Sequence, residues 1–273
     1  MMFCVANGKK WFVKLYPPFG GFFIARFNKY ITIYHMIKYI DSHCHLPKNS
    51  DFSDVLARAK LSGVMGCVIN AVDASEWNQI CDIASKNKNV CGAIGIHPWA
   101  INTAHGNWAN DIDFILSSNP NLMLGEVGID KTRDDILTQE RIFTRQIEIA
   151  IKHRRTICLH CVHAWDIVLR VFKTYRRELP TVIAHAFDGT QNAIDFDTNI
   201  YFSYSPNVAM KNFQKMRIGA INTPRDKILI ESDSCVLSDV SKSARGVLKM
   251  RADITANDIF NNSLGVFFNG QIA

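Results

Sequence analysis

From residue 38 onward, short apolar runs alternate with longer stretches in which apolar and polar positions are mixed. The runs are rich in Val, Ile and Leu and are continuously apolar, which is typical of strands buried on both faces. Eight such runs predict strands at 38–41, 64–71, 90–96, 122–127, 156–159, 181–184, 200–203 and 227–230.

The stretches between the runs favour helices. In the longest of them, Phe143, Ile147 and Ile151 recur at the spacing of one helix face. Helices are predicted at 53–62, 74–86, 138–155 and 164–175. Eight strands alternating with helices predict an α/β fold, a single-domain (β/α)₈ TIM barrel over 39–273. A doubly wound open sheet is the competitor, but its usual Gly-rich turn is missing after the first strand.

Residues 1–38 have a different composition, with ten aromatic residues, six Lys or Arg and no Asp or Glu. The segment lacks the apolar region and cleavage site of a signal peptide, and no run in the chain reaches the 18 apolar residues of a membrane span. Two explanations remain open. Translation begins at Met36 and the preceding residues are an over-extended reading frame, or the segment is a genuine, disordered N-terminal extension.

The net charge of +6 arises within these first 38 residues. The rest of the chain carries 25 basic and 25 acidic residues, because 31 Lys and Arg minus the six in the segment leave 25. Overall basicity is therefore no evidence for a polyanionic partner, although a local basic patch remains possible. The eight cysteines are scattered, as in proteins with reduced thiols, so we expect a cytoplasmic protein that makes no contact with membranes. A monomer is favoured.

Polar residues follow most of the predicted strands, and in a barrel of this kind the chemistry lies where strands end. Period-two spacing directs both imidazoles of the pair His43 and His45 to one face, as shared binding of a metal ion requires. The residues at strand ends that could bind metal are His43, His45, Glu126, His160, His185 and Asp233. Four imidazoles and two carboxylates exceed the needs of one tetrahedral ion. Two divalent ions, Zn²⁺, Mn²⁺ or Mg²⁺, fit better and suit hydrolysis.

The stretches IDSHCHL, GIHPWA, LGEVGID, ICLHC, VIAHAFDGT and PRDKILIESDS resemble, in this order, motifs of the TatD family of metal-dependent deoxyribonucleases in the amidohydrolase superfamily. The resemblance runs from Tyr39 to about Phe268. It implies a phosphodiester hydrolase, with 3′–5′ exonuclease action on DNA the best-known case, and DNA or a small phosphodiester as the substrate.

The resemblance also implies roles for individual residues. His43 and His45 would bind one ion together with Asp233, and Glu126 would bridge the two ions. His160 and His185 would hold the second ion. Asp233 would also be the general base, so Asp233 and Glu126 are the predicted catalytic residues. His97 and Asp130, which close two further motifs, are the predicted substrate contacts.

Three positions depart from the family pattern. Val162 stands where the family usually has an Arg, which would clamp a phosphate through two hydrogen bonds. Cys235 stands in place of a Pro, and Asp188 in place of Ser or Thr, which adds a negative charge. Two rival functions therefore stay open. One is an amidohydrolase-type hydrolase of a small ester, lactone or amide, and the other is a catalytically idle metal-binding barrel.

Overall fold

In the computed structural model of the protein, residues 37–48, 51–104, 106–196 and 199–271 are described in full, and the first 36 residues are described by the backbone of four strands. The chain divides into two compact units, Met1–Lys38 and Tyr39–Ala273. The first unit contains two antiparallel pairs, β1 (Met2–Ala6) with β2 (Lys9–Val13) and β3 (Phe22–Phe27) with β4 (Tyr30–His35). Whether translation begins at Met36 stays a prediction.

The second unit contains all eight predicted strands, paired in parallel and in sequence order. They are β5 (Tyr39–Cys44), β6 (Val64–Asn70), β7 (Val90–Ile94), β8 (Met123–Asp130), β9 (Ile157–Val162), β10 (Val182–Ala184), β11 (Ile200–Tyr204) and β12 (Ile228–Ile230). The predicted (β/α)₈ barrel is confirmed. Three strands extend three residues beyond their predicted ends, β5 to Cys44, β8 to Asp130 and β9 to Val162, because they carry polar residues into the barrel mouth where the apolar pattern has already stopped.

Helices surround the strands. They are α1 (Phe52–Leu61), α2 (Trp77–Lys86), α3 (Trp108–Ser118), α4 (Ile136–His153), α5 (Trp165–Thr174), α6 (Gln191–Ile194), α7 (Gln214–Asn222), α8 (Val240–Met250) and α9 (Ala256–Phe267). In α4, Phe143 and Ile147 are fully buried against the strands, as their spacing predicts. Within the described residues, we find no helix with both the length and the apolar character that crossing a bilayer demands.

The barrel closes between its first and last strands through side chains as well as backbone. Ser42 Oγ donates to the carbonyl of Ile230 at 2.8 Å, and the amide of Ser232 donates to Asp41 Oδ1 at 2.8 Å. The amide of Asp233 donates to the carbonyl of His43 at 3.0 Å. Polar residues of the first motif therefore hold the two ends of the sheet together beside the predicted site.

An interior cluster fills the barrel below this mouth. It consists of Val68, Cys91, Ala93, Met123, Cys158, Ile183 and Leu229. Phe267 and Phe268, at the end of α9, pack against it. Most of these side chains are small, which is what the narrow inside of an eight-stranded barrel can hold. A packed interior leaves the strand ends as the place for a site.

Candidate metal centre

Strand alternation places the polar residues in the barrel mouth. Side chains two positions apart on a strand point the same way, so His160 follows Cys158 on the inward face and Glu231 follows Leu229. Gly128 of β8 lies against His160, where a Cβ atom would overlap the His160 carbonyl oxygen. The close approach of the two strands thus requires glycine at this position.

Glu126 lies at the centre of the cluster, with its side chain 2% exposed. Its Oε2 atom lies 3.1 Å from Nε2 of His43 and 3.7 Å from Nε2 of His45. The two Nε2 atoms are 3.3 Å apart, and Oδ1 of Asp233 is 3.7 Å from Nε2 of His45. We call these four residues the first donor set.

The other carboxylate oxygen of Glu126 faces a different group of rings. Oε1 lies 2.7 Å from Nδ1 of His160 and 2.7 Å from Nε2 of His185. Those two nitrogens are 3.1 Å apart. We call Glu126, His160 and His185 the second donor set. The structure therefore brings all six predicted metal ligands together around one buried carboxylate.

Oxygen atoms lie on the far side of three rings, opposite the nitrogens that face Glu126. His45 Nδ1 lies 3.2 Å from the carbonyl oxygen of Asn70. His160 Nε2 lies 3.5 Å from Asp130 Oδ2, and His185 Nδ1 lies 3.6 Å from Glu231 Oε1. A proton held on the outer nitrogen leaves the inner nitrogen with a lone pair, the state that a metal ion needs.

His97 also reaches Glu126, with its Nε2 atom 3.2 Å from Oε1, but its ring is held differently. The amide of Trp99 donates to Nδ1 of His97 at 3.0 Å. A neutral imidazole that accepts at Nδ1 carries its proton on Nε2. Burial lowers the pKa of His97 and so favours the neutral ring. His97 thus presents an N–H donor to the site.

The electrostatics of the cluster are dominated by the Glu126 charge. Burial alone would raise the pKa of Glu126, but the neighbouring His185, His43 and His97 outweigh it and hold the pKa well below its usual range. Burial would lower the pKa of His185, yet the Glu126 carboxylate raises it well above the usual value. Burial would raise the pKa of Asp233, but the contact with His45 and the charges of His185 and His43 together outweigh burial and lower it. Both carboxylates are therefore ionised at neutral pH.

The donor chemistry fits divalent metal ions. Ligand nitrogens and oxygens about 2.0–2.2 Å from one tetrahedral ion lie roughly 3.3–3.5 Å apart. The separations within the two donor sets run from 2.7 to 3.7 Å around that spacing. Four imidazoles around a buried carboxylate, with few other partners for their inner nitrogens, are an arrangement that cations would stabilise.

Asp130, a predicted substrate contact, is buried and makes several contacts within the protein. Its Oδ1 accepts from the amide and hydroxyl of Thr132, and its Oδ2 accepts from Nε1 of Trp99 at 2.6 Å. Oδ2 also lies near His160, as described above. These contacts fit a residue that orients His160, and its contact with substrate stays a prediction.

The three departures from the family pattern differ in their surroundings. Asp188 forms an ion pair with Lys215 at 2.6 Å, so its extra negative charge is compensated. Val162 ends β9 half-buried and pairs in register with Asp130. Cys235 is exposed. The change in charge that Asp188 introduces is therefore smaller than the sequence suggests.

Two buried carboxylates beside the cluster were not among the predicted site residues. Glu231 is fully buried beside His185, and Asp41 is fully buried where the barrel closes. Burial raises the pKa of Asp41 well above its usual value. The alternation of β12 could have identified Glu231, because it stands two positions after the inward Leu229.

A parallel barrel with a cluster of imidazoles and carboxylates at the carboxyl ends of its strands is the architecture of metal-dependent hydrolases. The cluster indicates a site for divalent metal. Comparison with known proteins narrows this class. The model of the TatD related DNase family matches residues 40–259, and the chain belongs to this family.

Individual relatives are distant. The chain is 26% identical over 211 residues to the uncharacterised metal-dependent hydrolase YcfH of Escherichia coli K12, covering 74% of this chain and 79% of that protein. It is 25% identical over 192 residues to the 3′–5′ ssDNA/RNA exonuclease TatD of Edwardsiella piscicida, covering 68% and 74%. The crystal structure of YjjV, a TatD homologue from E. coli K12, superposes with a TM-score of 0.76 at 20% identity, covering 86% and 99%. This last likeness shows the fold alone.

Proposed function

We propose that this protein is a two-metal-dependent hydrolase of phosphodiester bonds, acting on single-stranded DNA as a 3′–5′ exonuclease. One observation carries the proposal. The two oxygens of Glu126 face two different donor sets, and this arrangement supports two ions that share one carboxylate. The 3′–5′ ssDNA/RNA exonuclease TatD of Edwardsiella piscicida, a relative of this chain, supports the substrate class.

The assignment of ligands follows the two donor sets. His43, His45 and Asp233 would hold one ion with Oε2 of Glu126. His160 and His185 would hold the other with Oε1. When bound, the ions would lower the pKa of a water molecule and neutralise charge on the phosphate.

The remaining chemistry belongs to the side chains. Asp233 is 34% exposed, whereas Glu126 is 2% exposed, so Asp233 is the carboxylate that water and substrate can reach. An ionised carboxylate there accepts the proton of the attacking water. His97, whose Nε2 also lies 3.2 Å from Oε1 of Glu126, would donate its Nε2–H to a phosphate oxygen and stabilise charge that develops on it. His97 is thus the proposed substrate contact.

The experiment that tests the proposal is hydrolysis by the metal-free protein supplemented in turn with Mg²⁺, Mn²⁺ or Zn²⁺. The substrates are a 5′-labelled single-stranded oligonucleotide, the same oligonucleotide in a duplex, a phosphodiester chromogen and a lactone. We expect metal-dependent loss of nucleotides from the 3′ end of the single strand. Hydrolysis of the lactone without hydrolysis of either phosphodiester would instead support the small-ester alternative. No turnover of any substrate with any of the metals would contradict both.

A further inference from the structure

A cleft of about 300 Å³ opens next to the donor sets, between the 98–103 turn and the loop that follows β8. Its walls include Trp99, Asn102 and Arg133, together with the carboxylates of Asp134 and Asp135. Neither the proposed metal ligands nor the proposed general base lines this cleft, so their roles do not account for it. Its distinctive feature is Trp99, which is 56% exposed although large aromatic side chains are usually mostly buried.

Trp99 is exposed but firmly held. Its amide donates to Nδ1 of His97 at 3.0 Å, and its indole Nε1 donates to Oδ2 of Asp130 at 2.6 Å. The indole centroid lies 5.1 Å from the His97 ring and 6.3 Å from the His160 ring. Both N–H groups of the residue are thus satisfied by site residues, and its ring is fixed beside the metal ligands with its apolar surface open to a binding partner.

Arg133 adds a positive charge at the same place. Its guanidinium lies 4.4 Å from the centroid of the Trp99 ring, and its amide donates to the carbonyl of Asp130 at 3.1 Å. Lys131, in the same loop, and Lys215, in the first turn of α7, are paired with carboxylates. Over the ranges that the structure describes, Arg133 has no such ion pair.

Arg133 lies close in the fold to position 162, where Val162 replaces the arginine of the family pattern. Val162 lies opposite Asp130 in the pairing of β9 with β8, and Arg133 is anchored to the same Asp130 through its backbone. Arg133 follows β8, the strand next to β9. Its guanidinium can therefore contact a substrate phosphate in the cleft from the end of β8, as the family arginine would from the end of β9. An unpaired guanidinium matches a phosphate better than any other side chain.

We propose that Trp99 and Arg133 form a nucleotide subsite, in which the indole stacks on an unpaired base and the guanidinium pairs with a backbone phosphate. The inference rests on the proposed nuclease function and names how that site would hold its substrate. Aromatic stacking accepts every base, because each has a π face, and it requires a base that is free of a duplex. The subsite therefore selects single strands without selecting sequence.

The test compares two oligonucleotides on the metal-loaded protein. One is a fluorescein-labelled octathymidylate with uncleavable phosphorothioate linkages at its 3′ end, and the other is identical except that its last two nucleotides are abasic. Fluorescence anisotropy gives both dissociation constants, whether or not the protein hydrolyses DNA. We expect the wild type to bind the octathymidylate roughly 5- to 100-fold more tightly, the range of one stacked base.

Variants separate the contributions of Trp99 and Arg133 to binding. Trp99→Ala should bring the two dissociation constants together, whereas Trp99→Phe keeps a stacking ring and should retain most of the preference. Phe114→Ala, which removes an exposed aromatic ring of α3, is the matched control and should change neither constant. Arg133→Gln should weaken binding of both oligonucleotides alike and reduce the slope of binding against salt by about one.

Equal binding of both oligonucleotides by the wild type, or a preference that survives in Trp99→Ala, would overturn the subsite. Hydrolysis of the unmodified oligonucleotides is measured in parallel and separates the two proposals. Base-independent binding with hydrolysis contradicts the subsite and leaves the nuclease function standing. Base-dependent binding without hydrolysis supports the subsite and contradicts the nuclease function.

Discussion

Asp233, in the loop after β12, faces His45, in the loop after β5, with 3.7 Å between Oδ1 and Nε2. The contact spans the seam at which the barrel closes. Asp233 is also the more exposed of the two carboxylates in the donor sets. The proposed general base is thus held by the same seam that completes the fold.

Asp233→Asn should lower turnover by about 10²- to 10⁴-fold, since an amide cannot accept the proton of the attacking water. The backbone should tolerate the change, because Asp233 has φ 50° and Asn adopts this region readily. The measurements are kcat on single-stranded DNA and the melting temperature with and without metal. Asp82→Asn, which removes an exposed carboxylate paired with Lys86, is the control and should leave kcat unchanged. Equal kcat in Asp233→Asn and wild type would show that the water is activated elsewhere.

Val162→Arg should raise activity on DNA, because it restores a guanidinium at the end of β9, in register with Asp130. Activity on a small neutral ester should not change, since that substrate carries no phosphate. Val162→Met is the control, with a long side chain and no charge. The gain should be larger in the Arg133→Gln background, where no other arginine serves the cleft. A rise in ester hydrolysis equal to the rise on DNA would contradict this explanation.

The pH dependence of stability offers a test remote from the metal centre. Hydrogen bonds from Thr255 and the ion pair with Arg225 lower the pKa of Asp258 to about 2 from its ordinary 3.8. A lowered pKa means that the charged carboxylate stabilises the fold above pH 3.8 and that this contribution is lost as the pH falls through 2.

Asp258→Asn should therefore lower the melting temperature by about 1–3 °C at pH 7, and the difference from wild type should shrink between pH 4 and pH 2. Thermal unfolding followed by circular dichroism at several pH values gives the result. Asp226→Asn removes a nearby exposed carboxylate outside this contact and is the control for the loss of one surface charge. A constant deficit of Asp258→Asn down to pH 2 would argue against the charge as the cause.

A chain that begins at Met36 should fold and keep its activity, because the eight barrel strands all lie within Tyr39–Ala273. Its melting temperature, measured by calorimetry, should lie within a few degrees of that of the full chain. Insoluble protein, or loss of hydrolysis with the metals retained, would show that the aromatic segment contributes to the barrel.

The sequence by itself determined the barrel and the composition of its site. A local apolar run predicts each strand, and the carboxyl ends of parallel strands in a barrel all lie at one rim. Polar residues such as His160 and Glu126, placed directly after such runs, must therefore meet, however far apart they are in the chain. This step requires no knowledge of contacts between distant residues, because the apolar pattern and the handedness of the fold determine where the strand ends lie.

Tertiary structure alone decided how those residues are used. The nitrogen that each ring presents depends on its outer partner, as with His97, whose Nδ1 accepts from Trp99. Lys215, 27 residues away in the sequence, balances the charge of Asp188, and no local pattern predicts that ion pair. Such contacts form between loops brought together by the closed barrel, and their geometry depends on how the strands are staggered, which the apolar pattern does not encode.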